Sequence, residues 1–256
     1  MDTLLVERGL AASRSRAQGL ILSGSVRVGD AVVTKAGSRF GADAPLSVDR
    51  PERFVSRAGE KLDAAIEEFG VWVEGRSCLD VGASTGGFTD ALLQRGAERV
   101  LAVDVGYGQL AWSLRNDPRV TVMERTNVRR LTGEDLPFDT DLLVADLSFI
   151  SLTVALESLI STTPALREAI LLVKPQFEAG PKAVGRGGLV RNREVHAAVI
   201  RRVTRYLRTL DFGAVDATRG AVTGRKSGNT EYPVHFLKGA EPVLDEARIR
   251  EVVGGG

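Results

Sequence analysis

The sequence predicts an α/β protein, a seven-stranded and mostly parallel sheet with helices on both faces, preceded by a small α+β module. Three observations lead there. From Val55 onward short apolar runs alternate with helical stretches, the pattern of a parallel sheet buried on both faces. The segment Leu79-Asp80-Val81-Gly82-Ala83-Ser84-Thr85-Gly86-Gly87-Phe88-Thr89-Asp90 passes from a strand through a Gly-rich turn into a helix. Residues 1–40 read differently, as two short helices and a strand–turn–strand with a net charge of +3.

In the N-terminal module, Leu4–Leu10 reads as a short helix stopped at Gly9, and a second helix starts after Ser13, a plausible N-cap, and stops at Gly24. Val26–Val33 reads as two strands about a Gly29-Asp30 turn. Further along, the predicted strands are Ser77–Val81, Arg99–Asp104, Val120–Glu124, Leu142–Asp146, Ile170–Lys174, Gly213–Ala217 and Glu231–Leu237. Only Thr218–Thr230 separates the last two, so an antiparallel pair at the sheet edge is expected. The expected organisation is a module over 1–47, a linker over 48–55, the α/β domain over 56–240 and a fraying tail with a weak helix over 241–256.

The 256 residues are 43% hydrophobic and 26% charged, which excludes wholesale disorder. There is no run of about 18 apolar residues, and Met1-Asp2-Thr3-Leu4 lacks the basic start of a signal peptide, so the expected location is the cytoplasm without membrane contact. A single cysteine, Cys78, excludes a disulfide framework and a cysteine-rich zinc site. No metal is expected. His196 and His235 stand alone, the first read as helix surface and the second as strand packing. The net charge is +1, made with 28 arginines and six lysines, so a lysine in an apolar setting invites a question.

The Gly-rich turn is the most informative segment. Its spacing is not Gly-x-Gly-x-x-Gly, and Asp80 would repel a pyrophosphate but receive a ligand ammonium. Asp104, at the end of the second strand, is placed to accept both hydroxyls of a ribose. An amino-acid head together with an adenosine ribose describes S-adenosylmethionine. Lys174 follows the apolar run Ile170-Leu171-Leu172-Val173 at the carboxyl end of a strand, where open α/β sheets bind ligands, and desolvation there lowers a lysine pKa toward that of a usable base. Asp146 ends one strand, Glu231 opens another, and Lys61 lies on the helix leading into the domain.

These motifs resemble the TlyA group of ribosomal RNA 2′-O-methyltransferases, also named hemolysin A. The resemblance is carried by Asp80–Thr89, Asp104-Val-Gly-Tyr-Gly-Gln-Leu110, Val144-Ala-Asp-Leu-Ser-Phe-Ile-Ser151, Leu172-Val-Lys-Pro-Gln-Phe-Glu178 and Gly228-Asn-Thr-Glu-Tyr232. It implies a Rossmann-like class I S-adenosylmethionine-dependent methyltransferase domain of the FtsJ/RrmJ type behind an S4 RNA-binding domain. It also implies a Lys-Asp-Lys-Glu catalytic set on Lys61, Asp146, Lys174 and Glu231, with Lys174 as the base. Cofactor contacts are implied from Asp80, Gly82, Ser84, Gly86, Gly87 and Phe88, from Asp104 to the ribose, from Asn127 near adenine and from Asp146 at the methionine end. RNA contacts are expected at Arg14 and Arg16, at Arg57, on the basic segment with Lys182 and Arg186, and at Arg225. The family has a longer type acting on both ribosomal subunits and a shorter type acting on the large one. Arg53-Phe54-Val55 stands where longer relatives carry Arg-x-Trp-Val, which leans toward the shorter type. A monomer is expected. The weighed alternatives are a membrane-lysing protein, a small-molecule methyltransferase and a ribosome-binding protein without catalysis.

Overall fold

The apolar runs after residue 76 do become strands, and the central ones face helices on both sides. The computed structural model describes residues 1–22, 24–41, 43–48, 53–220 and 228–254. It divides into two units, Met1–Arg53 and Phe54–Gly256.

In the first unit, helices α1 (Asp2–Glu7) and α2 (Arg14–Leu22) precede strands β1 (Val26–Val28), β2 (Ala31–Val32) and β3 (Leu46–Val48). The order is β2-β1-β3, antiparallel throughout. Ser13 Oγ accepts the Arg16 amide at 3.2 Å, the N-cap bond that starts α2. A small core forms from Leu5, Ala17, Ile21 and Val26. Asp2 ties the two helices together by accepting from Gln18 and Arg14, and the Gln18 amide above all holds its carboxyl down at about 2.

The second unit opens with α3 (Arg57–Phe69), whose apolar side carries Leu62, Ala65 and Ile66. It continues through β4 (Ser77–Val81), α4 (Gly87–Gln94), β5 (Arg99–Val103), α5 (Trp112–Arg115), β6 (Val120–Met123), β7 (Leu142–Ala145), α6 (Leu152–Ala155) and α7 (Glu157–Thr162). Then come β8 (Glu168–Val173), α8 (Pro175–Glu178), α9 (Arg193–Thr209), β9 (Phe212–Ala217), β10 (Tyr232–Lys238) and α10 (Glu246–Gly254). The strand order is β6-β5-β4-β7-β8-β10-β9, parallel except for β10, which runs antiparallel to both neighbours. The antiparallel pair is where it was expected, with β9 at the edge and β10 inserted inside it. Strands β4, β5, β7 and β8 are buried on both faces, so they read as unbroken apolar runs. One core lies between the sheet and α3, α4 and α5, and the other between the sheet and α6, α7, α9 and α10. Burial pushes the Cys78 thiol up to about 12, which leaves it unreactive.

Two expectations are corrected here. The tail does not fray: α10 buries Ile249, Val252 and Val253 in the core beside α9. His196 is not helix surface. Although Arg193 and Glu194 beside it are exposed, its ring is buried, with Nδ1 2.7 Å from the Tyr232 hydroxyl and Nε2 2.8 Å from the Val190 carbonyl. His235 does pack within its strand, stacked on Phe69 and bonded to Glu168 at 2.6 Å.

Candidate active site

The strand order reverses between β4 and β7, and in sheets of this kind the crevice at the carboxyl ends of such strands receives ligands. A cavity of about 570 Å³ opens there. Its walls include Gly82 and Ser84 beyond β4, Asp104 beyond β5, Asn127 beyond β6 and Asp146 and Phe149 beyond β7. Asp104 closes the turn: Oδ2 accepts the Ser84 amide at 2.8 Å and Oδ1 accepts the Gly106 amide at 2.6 Å. Gly82 is required where it stands, because its φ is +87° and an added Cβ would lie 2.9 Å from the Asp146 carbonyl oxygen.

A second cavity of about 170 Å³ shares Gly82, Ser84, Asp146 and Ser148 with the first and adds Phe88 and Lys174. Asp146 is thus a wall of both. Lys174 is only 7% exposed, and its Nζ lies 2.5 Å from Asp146 Oδ1 while donating to Ser148 Oγ at 3.1 Å. The approach to Asp146 does not make a hydrogen bond, so charge holds that contact and Ser148 supplies the directional one. A second ion pair, Lys61 Nζ to Glu231 Oε2 at 2.5 Å, is also largely buried. Tyr232 pairs with Val173 across the sheet, which brings Glu231 and Lys174 to the same end of neighbouring strands.

The structure therefore brings the four expected residues to one sheet end as two ion pairs, with Lys61 and Glu231 outside the walls of both cavities. Gly82, Ser84, Asp104, Asn127 and Asp146 line the larger cavity, and Phe88 lines the smaller one.

Three of the residues expected at the cofactor stand outside the walls of both cavities. Asp80 lies in β4 beneath the turn, fully buried, and lines neither cavity. Its Oδ2 accepts from Thr89 Oγ1 at 2.7 Å, its Oδ1 is buried without a partner, and burial pushes its carboxyl up to about 7. Gly86 and Gly87 turn their side-chain positions toward protein. A Cβ on Gly86 would lie 2.3 Å from Leu114, and one on Gly87 would lie 2.3 Å from Ser56 Oγ and 2.8 Å from the Gly59 amide. They let α4 approach α3 and α5.

Ser148 and Phe149 were missed by sequence reasoning. Phe149 is 90% exposed, with φ at +66°. Both sit in the matched run Val144–Ser151, which was the signal available. Among the expected RNA contacts, Arg14 pairs with Asp2 at 3.1 Å and is otherwise exposed, and Arg16, Arg57, Lys182 and Arg186 are exposed. Arg225 lies outside the described residues.

Residues 1–44 match the S4 domain, and residues 54–238 match the FtsJ-like methyltransferase family. The chain belongs to the FtsJ-like methyltransferase family. Within it, this FtsJ-like methyltransferase is 47% identical over 234 residues to the 16S/23S rRNA (cytidine-2′-O)-methyltransferase TlyA of Mycobacterium tuberculosis, covering 91% of this chain and 87% of that one. It is 38% identical over 241 residues to hemolysin A of Brachyspira hyodysenteriae, covering 93% of this chain and 99% of that one. A solved structure of a hemolysin-named protein from Streptococcus thermophilus superposes with a TM-score of 0.76 at 35% identity, covering 99% of this chain and 93% of that one. Among the described residues, no helix of this FtsJ-like methyltransferase is long and apolar enough to cross a membrane.

Proposed function

We propose that this FtsJ-like methyltransferase transfers a methyl group from S-adenosylmethionine to the 2′-hydroxyl of a cytidine in ribosomal RNA, in the cytoplasm. The observation that carries this reading is Asp146, a wall shared by two cavities, with Lys174 against it in the smaller one. A donor in the larger cavity and a hydroxyl in the smaller one would meet at that residue.

The residues fit the cofactor. Asp104 offers two carboxylate oxygens to the ribose hydroxyls. Asn127 stands at the adenine end, and Asp146 at the methionine end. Gly82 leaves open the space beside the Asp146 carbonyl that a side chain would fill. Asp80, Gly86 and Gly87 build the turn from behind. When bound, S-adenosylmethionine supplies an electrophilic methyl group.

A ribose hydroxyl is a weak nucleophile, so its proton must leave as it attacks. Lys174 is the base for that proton once it has given up its own, with Asp146 and Ser148 fixing the position of Nζ. Lys61 orients the ribose, and Glu231 holds Lys61. Alignment of the hydroxyl with the methyl supplies much of the rate. The exposed cations Arg14, Arg16, Arg57, Lys182 and Arg186 contact RNA phosphates, and Arg225 is assigned with them from the sequence.

Arg53-Phe54-Val55 in the linker favours the large subunit as the target. The mycobacterial relative's name carries both subunits, and that favours the small one as a second target. The test is methyl transfer from labelled S-adenosylmethionine to 30S and 50S subunits from a strain lacking the activity. Label in ribosomal RNA with wild type and none with Lys174→Ala is the expected result. Cofactor binding without label in either subunit overturns the RNA reading and turns the search to small-molecule acceptors.

A further inference from the structure

We propose that a third concavity, behind the catalytic end of β10, binds a backbone phosphate of the substrate RNA strand next to the modified nucleotide. The RNA source of that phosphate rests on the function proposed above. The concavity is about 210 Å³, below the roughly 300–1,000 Å³ of sites that enclose a whole small molecule. Three arginines line it: Arg191 and Arg193 at the start of α9, and Arg219 after β9. No carboxylate is among its walls, and none of the three is ion-paired among the described residues. By contrast Arg76, Arg95, Arg115, Arg119, Arg202 and Arg248 all pair with acids. The segment 221–227 contains no acid in its sequence.

The site is braced from two sides. Buried Asn229 accepts the Val190 amide at 3.0 Å through Oδ1 and donates to the Gly188 carbonyl at 2.8 Å through Nδ2. That clips the strand of chain before α9 to the one before β10. Beneath lie His196 and Tyr232, bonded to each other, with both His196 nitrogens engaged. Among the described residues, Arg219 makes two long bonds, 3.3 Å each, to the Val253 carbonyl and Thr230 Oγ1.

The ligand class follows. Guanidinium groups lining one concavity, without a counterion among the described residues, select an anion, and planar donor forks suit phosphate oxygens. Among the described residues that line it, Tyr232 and His196 are buried, which leaves no exposed aromatic face to stack a base. Position ties the phosphate to the reaction: Tyr232 follows Glu231 and is paired with Val173, the residue before Lys174. A strand whose ribose sits at Lys174 therefore has its neighbouring phosphates within reach of this edge.

The test is the double variant Arg191→Gln/Arg219→Gln, with Arg191→Lys/Arg219→Lys as the charge-keeping control. Thermal unfolding checks the fold. The expected result is a KM for ribosomal RNA raised about tenfold, kcat changed less than about twofold, unchanged S-adenosylmethionine binding and a salt slope of RNA binding lowered by about 1–2. The lysine control should keep the slope. Wild-type methylation with an unchanged slope and KM in the glutamine variant overturns the site and leaves the function standing. If the wild type neither binds nor labels RNA, the functional reading fails, and a titration with inorganic phosphate decides the rest. Protection of the wild type but not the glutamine variant replaces RNA with free phosphate as the ligand, and protection of neither overturns the site.

Discussion

Lys174 and Asp146 meet at 2.5 Å across the ends of the adjacent strands β8 and β7, with Ser148 as the lysine's hydrogen-bond acceptor. The two residues are not equivalent, because Asp146 also walls the larger cavity and Lys174 does not. Lys174→Ala should lower kcat by about 10²–10⁴-fold with cofactor affinity retained, whereas Asp146→Asn should weaken both. Isothermal titration beside single-turnover kinetics separates the two. Equal loss of cofactor affinity in both variants would contradict the division.

Asp80 should make stability depend on pH. Its folded pKa, about 7, is above the ordinary 3.8, so the native state holds that proton where the unfolded chain has lost it. The contribution is full below about 3.8 and is lost as pH rises to about 7, to a total of up to about 4 kcal/mol. Asp80→Asn cannot ionise, so its stability relative to wild type should rise between pH 5 and pH 7.5 in urea unfolding and then level off. A constant difference would mean the group is ionised throughout.

Gly87→Ala should destabilise by about 1–3 kcal/mol, because the new methyl meets backbone as well as a side chain. Gly86→Ala adds a strained left-handed backbone, φ +96°, to its clash with Leu114 and should cost about 2–4 kcal/mol. Thermal unfolding without cofactor is the measurement. Unchanged Tm values with lost cofactor binding would return both glycines to the ligand.

Glu178 should matter to stability and rate together. Its side chain is 1% exposed, and its carboxylate accepts from Ser151 Oγ, the Leu152 amide and Arg202, so it holds the chain that follows Ser148. Glu178→Ala should cost about 3–5 kcal/mol by leaving Arg202 and the amide unmet. Glu178→Gln keeps the shape, and is expected to keep most of the Tm while lowering kcat more than it raises KM for RNA.

The strands, the Gly-rich turn and the four charged residues at the sheet end were legible in the sequence, because burial on both faces writes continuous apolar runs and marks their ends. Which face of the turn meets a ligand was not legible. Gly82 borders a cavity while Gly86 and Gly87 border helices, and a glycine is the same letter in both settings. His196 was misread for a related reason: its partner Tyr232 arrives from a strand 36 residues later, a contact that no local pattern encodes. Helix α10 is short, and only its packing against α9 and β9 gives it a buried side.

The strand order also divides labour within the sheet. Asp104 after β5 and Asn127 after β6 border only the larger cavity, Lys174 after β8 borders only the smaller one, and Gly82 and Ser84 after β4 and Asp146 after β7 border both. If the larger cavity takes the methyl donor as proposed, acceptor preference can drift through Lys174 while donor recognition through Asp104 and Asn127 is inherited unchanged. Asp146, with Gly82, Ser84 and Ser148, is where the two cavities meet, so a change made there for one is felt in the other.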